Sequence, residues 1–230
     1  MAFVILSVAV GQILSRVGDM LGSPSARRMV IAMGGMDELT GAFLAVELSF
    51  IAVFASAYGI SALLRLTGEE SSMRADLALS AAVGRVRWAG AHLVLAVLGT
   101  AVLMIACGVG LGAMQAAQSG APSALGDDLL AALVRLPAVW VLIAITMALY
   151  GIARRAAPIA WAVLVATFLA SEIGPLFDLP RWVRDLSPFT HSPKLPGGEV
   201  STTSLTALSL STAALVIAGL AGFRHRDLTG

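Results

Sequence analysis

A chain of 230 residues that is 58% hydrophobic and 13% charged, with a mean hydropathy of +0.88, has too little polar surface to cover a water-soluble core of its size. Its solvent is lipid. A net charge of +1 gives no basic field for a nucleic-acid partner, and the lone Cys107 cannot form an intrachain disulfide.

In chain order, apolar runs long enough to cross about 30 Å of hydrocarbon occupy 41–64, 89–114, 129–152, 157–173 and 205–223. A further run at 1–14 is short for a span, and it lacks the basic start and small-residue cleavage site of a signal peptide, so it reads as a shortened first helix. The expectation is an all-α membrane protein: one polytopic domain over 1–230, with about six spans and no internal repeat.

Between the second and third runs lies RLTGEESSMRADLALSAAVGRVRW, residues 65–88, where a simple turn needs only a handful of residues. Thr67 and Glu70 have capping-box spacing, and Glu69 and Glu70 place negative charge where a helix N-terminus favours it, so a helix is predicted from about 68 to 83. Glu70 and Arg74 form an i,i+4 pair, Met73, Leu77 and Ala81 repeat at four-residue steps, and Gly84 supplies a stop. The predicted product is an amphipathic helix lying along a membrane surface.

Basic residues set the orientation. Arg65, Arg74, Arg85, Arg87, Arg154, Arg155, Arg224 and Arg226 crowd short connections on one face, whereas Arg16, Arg27, Arg28, Arg181, Arg184 and Lys194 are spread over longer ones on the other. The first face is therefore expected in the cytoplasm, with both termini. The segments 16–40, 115–128 and 174–204 then face outward.

Three ionisable residues stand inside spans. Glu47 lies roughly 9 Å from the outer end of its span, Arg135 at a similar depth in another, and Glu172 nearer the outer end of a third. A charge at mid-bilayer costs about 2.5–3.5 kcal/mol on insertion scales, so Glu47 and Arg135 are expected to face inward and meet each other. They form either a polar contact in a transport pathway or a structural ion pair beside one snorkelling side chain. The outer segment 174–204 carries Pro175, Pro180, Pro188, Pro193 and Pro196, which exclude one long helix, and Trp182 with Phe189 suits an interfacial turn.

Several chemistries are absent. There is no G-x-x-x-x-G-K-[ST] phosphate loop, and the only lysine, Lys194, sits among prolines. Gly108, Gly110 and Gly112 lie inside an apolar span, where small residues serve helix packing. His92, His191 and His225 are scattered, so no metal is predicted, and no nucleophile elbow or intramembrane aspartate pair suggests a protease.

The charged connection GEESSMRADLALSAAVGRVRW resembles the first cytoplasmic loop of ABC-2 type exporter permeases. LVRLPAVWVL, LPRWVRDLSPFTHSPKLPGGEVS and AGLAGFRHRDL resemble the branch of polyketide antibiotic and drug exporters. Members of that branch carry two six-helix halves, and this sequence resembles the second. The resemblance implies a coupling helix built on Thr67, Glu69, Glu70, Met73, Arg74 and Leu77, with Arg85 and Arg87, that docks on an ATPase subunit. It also implies an outer gate at Trp182 and Phe189. ATP and Mg would be bound by that partner, with no cofactor in this chain. The other pathway half would be a second copy or a first-half polypeptide, the cargo a hydrophobic or amphipathic small molecule, and the location the bacterial plasma membrane. An ion-coupled secondary transporter using Glu47, Arg135 and Glu172 is the alternative, and a non-transporting scaffold or half-gene product is the third.

Overall fold

The computed structural model describes residues 36–71, 85–172, 174, 177–193, 195 and 201–225. All regular structure among them is helical: α1 Met36–Ser71, α2 Arg85–Ser119, α3 Ser123–Leu133, α4 Leu136–Ile152, α5 Ile159–Glu172, α6 Arg181–Asp185 and α7 Thr202–His225, with single 3-10 turns at Arg154–Ala156 and Pro188–His191. Five stretches are long and apolar enough to cross a membrane: Phe43–Leu66, Val86–Ser119, Ser123–Ile152, Arg154–Glu172 and Thr202–Arg224. The run at 1–14 lies outside the described residues.

Three boundaries differ from expectation. Residues 67–71 continue α1 rather than opening a new helix, so Thr67 is not an N-cap and no helix begins at Gly68. Gly68 costs about 1 kcal/mol, Thr67 and Ser71 cost less, and the two glutamates favour helix, so the stretch is too weak a breaker to stop a helix already running through Leu66. The rest of the predicted surface helix, 72–83, lies outside the described residues.

Second, the connection 115–128 shrinks to a turn. Gly120, at φ +69°, closes α2 with its N–H on the Ala116 carbonyl at 2.9 Å, and α3 starts directly after Pro122. A left-handed glycine after the last helical turn is the expected stop.

Third, the predicted span 129–152 is two helices. Pro137 has no N–H to give the Leu133 carbonyl, so the ladder breaks at Val134 and Arg135 and restarts with proline in the first turn of α4.

The described residues cluster into two compact units. The first holds 36–52 of α1, 102–119 of α2, and α3; the second holds 53–71, 85–101 and α4 to α7. In the first unit, a Cβ added at Gly108 would come within 2.8 Å of the Ala132 Cβ, and one added at Gly112 within 2.6 Å of the Leu125 Cα, whereas Gly110 meets nothing. Two of the three glycines thus form a packing seam between α2 and α3, where lipid supplies no hydrophobic drive and close van der Waals contact holds helices together.

In the second unit α4 is the centre, with Val139, Leu142, Ile143, Ala144 and Met147 buried. It meets α7 through Gly151 and Gly219, whose backbones touch with no side chain between them. At one end of this contact Phe223 stacks on Tyr150, ring centroids 5.4 Å apart, and leans on Trp88 at 6.4 Å. Two buried hydroxyls are satisfied locally: Thr100 donates to the Ala96 and Val97 carbonyls, and Thr146 to the Leu142 carbonyl at 2.8 Å.

Candidate functional site

In the first unit, Leu44, Leu48 and Ile51 form the buried face of α1, and Glu47 stands on that face. On α3 the small residues Ala124, Ala131 and Ala132 mark the buried face by their four- and three-residue steps from Asp128, which shares it, while Asp127 points outward. Glu47 is 6% exposed and Asp128 is 1% exposed. Both carboxylate oxygens of Glu47 and Oδ2 of Asp128 are buried without a hydrogen-bond partner. Asp128 lies within electrostatic range of Glu47, and Glu47 within range of the buried Cys107 thiol. The seam positions these groups, because the Asp128 carbonyl abuts Gly108, the residue after Cys107.

Within the first unit the charge acting on Glu47 is another acid, Asp128. The break before α4 takes Arg135 out of α3 and into the second unit. By sequence Asp128 falls in the connection 115–128. Its signal was available in the spacing Ala124, Asp128, Ala131, Ala132, which puts it on a small-residue face.

In the second unit Arg135 is 3% exposed at the start of α4, and the charge acting on it comes from Glu172 at the end of α5. These two sequence-selected residues lie within electrostatic range of each other. A buried guanidinium with a half-buried acid in range is the arrangement a low-dielectric site requires.

The outer segment folds as a short helix and a turn. Ser187 donates its hydroxyl to the Thr167 carbonyl at 2.8 Å and accepts from the Phe189 N–H at 3.3 Å, which ties the turn Pro188–His191 to α5. Thr190 donates to the Arg184 carbonyl at 2.8 Å. Phe189 is buried, whereas Trp182, Leu186 and Phe177 are exposed and offer an apolar surface of the kind membrane interfaces accept. The two predicted gate residues therefore play opposite parts, one anchoring and one facing out. A cavity of about 230 Å³ lies beside this turn, lined by Val141, Ile145, Leu186, His191 and Leu208 among others.

Of the residues assigned to coupling, Thr67, Glu69 and Glu70 fall in the last turns of α1, Arg85 and Arg87 in the first turn of α2, and Met73, Arg74 and Leu77 outside the described residues. Arg87 is exposed. Among the described residues no group of three or more His, Cys, Asp or Glu side chains is arranged to hold a metal ion.

A family model described as the C-terminal domain of the multidrug efflux system permease Rv1217c matches residues 1–224. The multidrug efflux system permease protein Rv1217c of Mycobacterium tuberculosis (strain ATCC 25618 / H37Rv) is 37% identical over 227 residues, which are 96% of this chain and 41% of that protein. The chain spans about two fifths of the length of this curated relative. With five membrane-crossing stretches and a match through both compact units, the chain is a multi-pass membrane protein that belongs to the Rv1217c C-terminal-domain family, in keeping with the second half of an ABC-2 type permease that its motifs resemble.

Proposed function

We propose that the chain forms the second membrane half of a bacterial exporter permease that moves hydrophobic or amphipathic small molecules, such as drugs, out across the plasma membrane. The family match over 1–224 carries this reading. Energy comes from a separate ATPase subunit that binds ATP and Mg, since the chain has a single lysine and no phosphate loop. The other half of the pathway is a first-half polypeptide or a second copy. Both termini lie in the cytoplasm, and the connection 65–88 between α1 and α2 meets the ATPase.

The test is co-expression of this permease with a candidate ATPase in an efflux-deficient bacterium, followed by purification in mild detergent. Co-purification and dye efflux that stops when the ATPase loses its phosphate-loop lysine are expected. ATP turnover by the permease free of any partner would overturn the reading.

A further inference from the structure

A carboxylate buried in an apolar span is tolerated when something neutralises it. Glu47 and Asp128 are 6% and 1% exposed, lie within electrostatic range of each other, and leave three carboxyl oxygens without a hydrogen-bond partner. The titratable and charged groups that the described residues of this unit contribute are Glu47 with Asp37 and Glu38 on α1, Cys107 on α2, and Asp127 with Asp128 on α3. Lysine, arginine and histidine do not occur among those residues. Among the described residues, the surroundings of the pair therefore supply acids only.

We propose that Glu47 and Asp128 form a site for one positive charge of the exported molecule, a protonated amine or other lipophilic monocation, and that protons neutralise the pair in the arrangement described here until the cargo displaces one. The exchange is balanced: one carboxyl loses its proton to solvent as one cation takes its place, and net charge inside the membrane is unchanged. The word cargo rests on the export reading above, whereas the exchange itself is independent of any ATPase. Selection follows from the same bookkeeping, since a neutral molecule displaces no proton and an anion cannot take the place of one without leaving uncompensated negative charge inside the membrane.

The experiment uses the complete permease, this chain with the other half of its pathway, in lipid nanodiscs, and the probes are tetraphenylphosphonium as cation and Nile red as neutral molecule. Tetraphenylphosphonium binding in weak buffer should release about one proton, with affinity rising by up to about tenfold per pH unit while the exchange operates. Glu47→Gln and Asp128→Asn imitate protonated carboxyls, so the double variant should keep its melting temperature and Nile red binding while cation affinity falls at least tenfold and proton release disappears. No proton release by the parent overturns the proposal. So does equal loss of both probes in the double variant, because the effect is then structural. Proton release by the parent without ATP-dependent efflux in cells leaves the site standing and removes the export reading.

Discussion

The backbone of Gly151 in α4 lies against the Gly219 carbonyl in α7, so that a side chain at either position has no room. Because α7 buries little beyond Leu208, Gly219 and Phe223, this contact decides how α7 is held. In a bilayer, where apolar surface gains nothing by leaving lipid for protein, such close approach is the main attraction between helices. Gly151→Val should destabilise the second unit by about 1–3 kcal/mol or more through overpacking. Gly110→Ala, at a position whose Cβ meets nothing, should be neutral or slightly stabilising. Thermal unfolding in detergent, followed by loss of the native monodisperse peak, checks both; equal melting temperatures would remove the seam's importance.

The turn beside α5 hangs on one hydroxyl. Ser187 makes a bond to the Thr167 carbonyl, twenty residues away in sequence, and also caps the turn that buries Phe189. Ser187→Ala should cost about 1–2 kcal/mol locally and leave the Thr167 carbonyl to lipid or water. Hydrogen exchange over 181–192 should accelerate by roughly tenfold while α4 is unchanged. Unaltered exchange in that segment would place its anchor elsewhere.

The membrane spans were legible because about twenty consecutive apolar residues are a one-dimensional signal. Three of the expected runs lie within helices, the run 157–173 overlaps α5, and the run 129–152 is split by Pro137, whose missing N–H was also readable in LVRLPAVWVL. The packing role of Gly108 and Gly112 followed from their place in a span, but their partner α3 did not, since its first residues looked like loop. Thr67 failed for a different reason. A capping box is a local preference worth about 1 kcal/mol, and a helix already running through Leu66 outweighs it. Partner choice among charges was the least legible feature: Arg135 with Glu172 and Glu47 with Asp128 depend on helix rotation, which depth along a span does not encode.

Orientation is tested by two exposed positions. Ser119 closes α2 and Arg155 stands in the turn between α4 and α5. With Cys107 first changed to Ala, a cysteine at 119 should react with an impermeant maleimide in intact cells, and one at 155 should react only after the membrane is opened. The opposite pattern would invert the topology drawn from the arginines and place the 65–88 connection outside, beyond reach of an ATPase.

The aromatic contact at the Arg-rich ends of α4 and α7 fixes the frame on which any coupling acts. Phe223 is fully buried between Tyr150 and Trp88, so it joins α7 to α4 and to the start of α2. Phe223→Ala removes both ring contacts, each worth about 0.5–1.5 kcal/mol beyond burial, and leaves a cavity. Melting temperature should fall by several degrees, with Phe223→Leu intermediate. Stimulated ATPase activity in the assembled exporter should fall with it.

Reversal of Glu69 and Glu70 to lysine tests docking without that structural loss. Both lie in α1, lysine has nearly the helix propensity of glutamate, and the i,i+4 spacing of Arg65 and Glu69 accounts for only a few tenths of a kcal/mol. Insertion and melting temperature should therefore stay near those of the parent. If the connection meets an ATPase surface complementary to its acids, reversed charge meets like charge there, and both efflux and ATPase stimulation should fall at least tenfold. Thr67→Ala, a helix-interior change that alters no charge, should leave both within about twofold. Full efflux by the reversed variant would separate the 65–88 connection from energy coupling and favour an ion-driven mechanism centred on Glu47 and Asp128.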